Sequence, residues 1–69
     1  MKDSKAKQIE SHLLAGKALT GIQALQLYGV YRLSSVINRL RGRHEIHTDM
    51  IDMGDVRYAK YYIPELYLF

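Results

Sequence analysis

The stretch from residue 31 to residue 43 carries the side chains best suited to binding chemistry. Its four arginines can form paired hydrogen bonds, and Asn38 offers an amide donor and an amide acceptor. In the major groove of DNA, arginine pairs with guanine O6 and N7, and asparagine pairs with adenine N6 and N7. Ser34 and Ser35 add short donors for phosphates or bases. These residue types predict a surface that binds nucleic acid.

The same stretch has the apolar spacing of an amphipathic helix, which we predict over residues 31–41. The apolar positions that recur at i, i+3, i+4 and i+7 are Leu33, Val36, Ile37 and Leu40. Polar residues occupy the opposite side, and Gly42 ends the pattern. The alternative is that this polar side is only a solvated helix face. If it does bind, we expect Ser35, Asn38 and Arg39 to contact bases.

The remaining cations and hydroxyls near this helix are expected to contact phosphates. Arg32, Arg41 and Arg43 are predicted phosphate contacts, and Lys17 and Thr20 could also touch phosphate at the start of the second helix, where backbone N–H groups point outward. The hydroxyl of Thr20 is already explained by a helix cap. The full set of predicted DNA-binding residues is Lys17, Thr20, Arg32, Ser34, Ser35, Asn38, Arg39, Arg41, Arg43 and Arg57.

Two further helices are predicted before this one. Ser4 is a suitable N-cap for a helix over residues 4–15, and Gly16 suits the left-handed residue that follows a helix. Residues 17–19 form a connector with the character of a very short strand. Thr20 and Gln23 have the spacing of a capping box for a second helix, which ends at residues 28–29. Its expected apolar surface comprises Ile22, Ala24, Leu25 and Leu27.

A β-hairpin is predicted after the helices, with strands over residues 45–53 and 56–63. Gly54 at the first loop position favours a type II′ turn. Pairing Met53 with Val56 places Asp52 opposite Arg57 and also brings several apolar pairs together, which favours this register. The other pairs that it implies are Asp49–Lys60, Ile51–Tyr58, Met50–Ala59 and Ile46–Ile63. The face predicted to join the core comprises Ile46, Thr48, Met50, Ala59, Tyr61 and Ile63.

Composition and charge limit the classes of function that the sequence supports. Residues 1–44 have a net charge of +6 and residues 45–69 a net charge of −3, so an anionic partner should bind the first two-thirds. The chain has no cysteine, and the histidines at 44 and 47 lack the further ligands of a metal site. No catalytic set occurs in a credible cleft. We therefore expect a non-enzymatic protein without cofactor or metal, with no membrane segment, in the cytoplasm.

The C-terminal third is rich in tyrosine and apolar residues. Tyr58 and Tyr62 fall on the outer hairpin face, and the tail of residues 64–69 is largely apolar. Either this surface is an interface, such as that of a homodimer on a two-fold DNA site, or the tail folds back and covers it. Both alternatives remain open from the sequence.

The pattern resembles the small winged helix-turn-helix domains of bacteriophages and prophages over residues 6–63, most specifically from Leu19 to Arg41. The residues that carry the resemblance are Leu19, Thr20, Ala24, Leu25, Leu27, Gly29, Arg32, Leu33, Ile37, Leu40, Arg41, Ile46, Tyr58, Tyr61 and Ile63. The resemblance implies an α+β fold of three helices followed by a two-stranded β-hairpin wing, and a DNA-binding role.

The sequence thus leads to one domain, residues 1–69, with a core over about residues 4–63. The favoured function is sequence-specific binding of double-stranded DNA by a phage or prophage transcriptional regulator or an excisionase-like architectural factor, in the cytoplasm of a bacterial host. The alternative is a phage-encoded interaction module that binds a host protein. The acidic hairpin and the apolar tail motivate this alternative.

Overall fold

The computed structural model describes residues 4–67, which form three helices and a three-stranded antiparallel sheet. The elements in chain order are α1 (Lys5–Leu14), β1 (Leu19–Thr20), α2 (Gly21–Tyr28), α3 (Leu33–Leu40), β2 (His47–Met53) and β3 (Val56–Tyr62). The α+β class and the order of three helices before a hairpin are confirmed. The sheet has a third strand because Leu19 and Thr20 of β1 pair with Tyr61 and Lys60 of β3.

The helix ends follow local side-chain chemistry. Ser4 caps α1 by accepting the backbone N–H of Lys7. Thr20 and Gln23 form the expected capping box of α2, which ends at Gly29 with a φ of 68°. The third helix begins at residue 33 rather than 31. Its N-cap, Arg32, makes no side-chain capping bond, because a guanidinium has no acceptor for the exposed N–H groups.

The core lies between the inward sides of the helices and the base of the hairpin. Its buried members are Ile9, Leu13, Leu19, Ala24, Val30, Leu33, Ile37, Leu40, Ile46 and Ile63. The buried side of α3 is therefore the predicted one, with Val36 half-buried at its edge. In α2, only Ala24 is buried, so the expected contribution of Ile22, Leu25 and Leu27 to the core is wrong.

The hairpin has the predicted register in every pair from Met53–Val56 to Asp49–Lys60. Gly54 has a φ of 76° and Asp55 has no positive φ, as a type II′ turn requires. The prediction that Thr48 and Met50 join the core is wrong, because both are exposed. Burial on the inner face is confined to Ile46 and Ile63 at the base of the hairpin, because β2 lies at the edge of the sheet, on the far side of β3 from β1.

The chain after β3 turns back onto the outer hairpin face. The N–H groups of Leu66 and Tyr67 both bond the carbonyl of Ile63, and the ring of Tyr67 lies 5.0 Å from that of Tyr62. The Lys60 ammonium lies 5.3 Å from the Tyr67 ring centre. The tail therefore covers part of the outer face as far as residue 67, while residues 68 and 69 lie outside the described residues.

A hydrogen bond to Asp49 holds the Tyr62 side chain on the outer face of the hairpin. Its hydroxyl donates a hydrogen bond to Asp49 Oδ1 over 3.4 Å. Partial burial, followed by the negative charge of Asp49 and this hydrogen bond, raises the pKa of Tyr62 above its ordinary value. The hydroxyl therefore keeps its proton, and remains a donor to Asp49, to a higher pH than an ordinary tyrosine would.

Substitution of Gly16 by alanine tests how tightly the tail is held. Gly16 has a φ of 82°, and a Cβ atom there would lie 2.6 Å from the Leu66 carbonyl oxygen. Gly54→Ala is the matched control, since Gly54 has a φ of 76° but no atom within 4 Å of a Cβ. We expect about 1–2 kcal/mol of strain in both variants and about 1–3 kcal/mol more in Gly16→Ala from the clash. Urea unfolding measures the free energy of unfolding of both variants. Equal losses of this free energy would show that the tail moves away from residue 16 without cost.

Candidate nucleic-acid interface

The polar side of α3 forms one continuous exposed surface. At about 3.6 residues per turn, Ser35 and Asn38 lie opposite the buried Leu33, Ile37 and Leu40. Ser34 and Arg41 border them on one edge and Arg39 borders them on the other. All five of these polar side chains are exposed. We call Ser34, Ser35, Asn38, Arg39 and Arg41 the exposed face of α3, and a helix with this face free has the shape that a major groove accepts.

Arg41 joins the end of α3 to the start of the hairpin. Its guanidinium donates to Thr48 Oγ1 over 2.7 Å and, more weakly, to the Ile46 carbonyl over 3.4 Å. The residue is still exposed, so one side of the guanidinium can meet a phosphate while the other holds the hairpin. This double role was not apparent from the sequence, because it depends on how the turn after Leu40 directs the chain.

A cleft separates α1 from the C-terminal end of α3. It encloses about 520 Å³, and we call it the basic cleft. Its lining residues are Ser4, Ala6, Lys7, Glu10, Arg39, Leu40 and Arg43. Lys7, Arg39 and Arg43 are exposed, whereas the Glu10 side chain is only 14% exposed. This flank of α3 therefore presents cations.

A second concavity lies on the other flank, between the start of α2, the turn before α3 and the tip half of β3. We call it the apolar groove, and Ile22, Leu25, Tyr31, Val56 and Tyr58 are its main apolar residues. The groove also includes Arg32, Ser34 and Arg57 and no carboxylate side chain. Ile22 and Leu25, which are missing from the core, thus line a surface beside α3, whereas Leu27 does not. The sequence had no signal for this arrangement.

The comparison with protein families decides what this architecture is. A family model described as a winged helix-turn-helix domain matches residues 4–65, which is nearly the whole chain. The chain belongs to the winged helix-turn-helix family. In this winged helix, α2 and α3 are the helix-turn-helix pair and residues 47–62 are the wing. Membership supports a DNA-binding role, and winged helix-turn-helix domains are typically non-enzymatic. Comparisons with curated proteins and with solved structures find no significant match.

The remaining predicted contacts lie at different distances from α3. The Thr20 hydroxyl accepts the Gln23 N–H over 3.3 Å, so the helix cap accounts for it. Lys17 lines a shallow hollow with residues of α1 and Tyr28, which contains no residue of α3. Arg57 is exposed on the wing, 3.9 Å from Asp52 Oδ2, and therefore carries a partly compensated charge. The structure thus brings Arg57 near α3 through the apolar groove but does not bring Lys17 there.

The three histidines are engaged in protein contacts. His12 bonds the Tyr28 hydroxyl and the Ala18 carbonyl, His44 bonds Glu10, and His47 bonds Glu45. Within residues 4–67, no three histidine, aspartate or glutamate side chains converge closely enough to hold a metal ion. Among the same residues, no helix has both the length and the apolar character needed to cross a bilayer.

Proposed function

We propose that this winged helix is a sequence-specific double-stranded DNA-binding protein that reads the major groove with α3. The observation that carries the proposal is the exposed face of α3, in which Ser35 and Asn38 project from a helix anchored by Leu33, Ile37 and Leu40. The sequence between Glu10 and Glu45 contains no acidic residue, so no carboxylate of α2, α3 or the turn between them repels a phosphate. Hydrogen-bonding groups in the middle and cations at the edges match base edges flanked by phosphates.

The proposed setting is the cytoplasm of a bacterial host, where the protein serves a phage or prophage as a transcriptional regulator or an excisionase-like architectural factor. Residues 1–69 act as one domain in this proposal. Ser35, Asn38 and Arg39 contact bases, and Arg32, Arg41 and Arg43 contact phosphates. The acidic residues Asp52 and Asp55 of the wing limit its contribution to DNA binding.

The test is fluorescence anisotropy with a duplex selected from a random-sequence pool, measured over a range of salt concentrations. Several phosphate contacts predict a logarithmic salt slope steeper than about −3, since each contact contributes about −0.9. Arg39→Ala combined with Arg41→Ala should weaken binding and flatten the slope by at least the one phosphate contact assigned to Arg41. Circular dichroism must show that the double variant is folded, because Arg41 also bonds Thr48. Unchanged binding by the folded double variant would contradict the assignment of α3.

The oligomeric state can be read from the same samples. The predicted homodimer would use the outer face of the wing and the C-terminal tail, part of which Tyr67 already covers. Light scattering with and without duplex measures the mass directly. A monomer on the selected duplex would contradict the homodimer without affecting the proposed DNA binding.

The apolar groove favours a second candidate function, a phage-encoded module that binds a host protein. Its exposed apolar walls and the cations Arg32 and Arg57 suit an apolar segment that carries carboxylates. Two copies of this chain would bring those cations together, which disfavours self-association there. Ile22→Asp should then abolish stoichiometric capture of one host protein from nuclease-treated lysate. That result, with no duplex binding by the wild-type protein, would replace the DNA-binding function.

A further inference from the structure

The basic cleft is lined by three cationic side chains, which is more than line either of the other two concavities described above. Lys7 comes from α1, Arg39 from α3 and Arg43 from the turn that follows α3. Within residues 4–67, the Lys7 ammonium and the Arg39 guanidinium have no hydrogen-bond or ion-pair partner. The cleft volume of about 520 Å³ far exceeds the roughly 30 Å³ of one water molecule. It therefore has room for a phosphodiester group with its sugar.

The one carboxylate that lines the cleft, that of Glu10, is mostly buried. Glu10 Oε2 lies 2.6 Å from His44 Nε2 and 3.8 Å from an Arg43 nitrogen. The Arg43 side chain is 75% exposed, against 14% for Glu10. Glu10 thus connects α1 to the segment after α3, while the cations face solvent. An anion that approaches the cleft meets positive charge first.

The position of the cleft relative to α3 indicates which anion it receives. Arg39 belongs both to the exposed face of α3 and to the cleft, so the two surfaces are continuous. A helix is about 10–12 Å across with its side chains, and the major groove is about 12 Å wide. A helix seated there therefore has a phosphate ridge on each side. With α3 in that position, the cleft would face one ridge, and the apolar groove with the wing would face the other.

We propose that the basic cleft binds phosphodiester groups of one strand that borders the major groove occupied by α3. This inference rests on the proposed DNA-binding function and deepens it. Lys7, which the sequence did not single out, becomes a backbone contact together with Arg43. Arg39 becomes a phosphate contact at the border of the cleft instead of a base contact. Base reading is then concentrated in Ser35 and Asn38.

The test compares Lys7→Gln and Arg43→Gln with the wild-type protein by anisotropy over a salt series. Each variant should reduce the magnitude of the salt slope by about one. Each should also weaken binding to selected and unrelated duplexes alike, by about two- to fivefold. Lys60→Gln is the matched control, because it removes one cation from the outer wing face, where Lys60 lies against Tyr67. Its slope should equal that of the wild-type protein, since screening acts over roughly 8–10 Å.

The possible outcomes distinguish a failure of the cleft proposal from a failure of the proposed DNA-binding function. If the wild-type protein binds duplex and both cleft variants keep its slope, the cleft proposal is overturned and the DNA-binding function stands. If the wild-type protein binds no duplex, both fail. Inorganic phosphate is compared with chloride at matched ionic strength as a further arm. Competition by phosphate that weakens in Lys7→Gln would support the cleft as the surface that binds the duplex phosphates, whereas competition unchanged in Lys7→Gln would place that surface elsewhere and overturn the proposal.

Discussion

Replacing Asn38 by alanine is expected to weaken binding to the preferred duplex by about 5- to 150-fold, with little effect on unrelated duplexes. A bidentate contact to a base discriminates by about 1–3 kcal/mol, which corresponds to that range of affinity. Asn38 lies at the centre of the exposed face of α3, where its amide can present a donor and an acceptor together. Since the side chain is exposed, its truncation leaves the core intact.

The experiment separates base reading from electrostatic attraction. Anisotropy titrations with the selected duplex and with a scrambled duplex of the same length give the specificity ratio of each variant. Gln26→Ala is the matched control, because it removes an exposed amide from α2 instead of α3. A ratio that remains at the wild-type value in Asn38→Ala would show that Asn38 does not read bases. A uniform loss on both duplexes would make Asn38 a backbone contact.

The second large effect is expected from Ile37→Ala, on stability. Ile37 is 1% exposed and comes from the same helix that presents Asn38. Removing a buried isoleucine side chain down to alanine typically costs about 2–5 kcal/mol. A chain of 69 residues has a free energy of unfolding of about 3–10 kcal/mol. The loss removes a large part of this free energy, so the variant should unfold at a clearly lower urea concentration than the wild-type protein.

Urea unfolding followed by circular dichroism measures this loss. Val36→Ala on the same helix is the control, because Val36 is half-buried at the edge of the core and should cost clearly less. A duplex present at about 100 times its Kd should raise the free energy of unfolding of either variant by about 2.7 kcal/mol, because it binds only the folded state. A loss below about 1 kcal/mol in Ile37→Ala would contradict the anchoring of α3 by this side chain.

Functional geometry and stability are closely coupled in so small a domain. The helix that is proposed to read DNA also supplies Leu33, Ile37 and Leu40 to the core. Arg41 connects the end of that helix to the wing through Thr48. Variants of the buried side will therefore alter binding indirectly, whereas those of Ser35 and Asn38 act on the interface alone. This contrast makes the exposed positions the informative ones for function.

The sequence by itself determined the features that depend on neighbouring residues. Ser4, Thr20 and Gly29 mark helix ends because capping bonds and positive φ angles are local requirements. The register of the wing follows from the turn at Gly54 and from the alternation of strand side chains. The buried side of α3 follows from the spacing of its apolar residues. All of these need information from only a few positions along the chain.

Only the tertiary structure decided which apolar and charged residues from distant segments meet. The sequence pattern predicts that Ile22 and Met50 are buried, yet both side chains are exposed in the structure. The third strand forms because β3 passes beside Leu19, about forty residues earlier in the chain. Lys7 gains its proposed function because α1 packs against the end of α3. Periodicity specifies the direction of a side chain on its own element, but the packing of elements determines what that side chain faces.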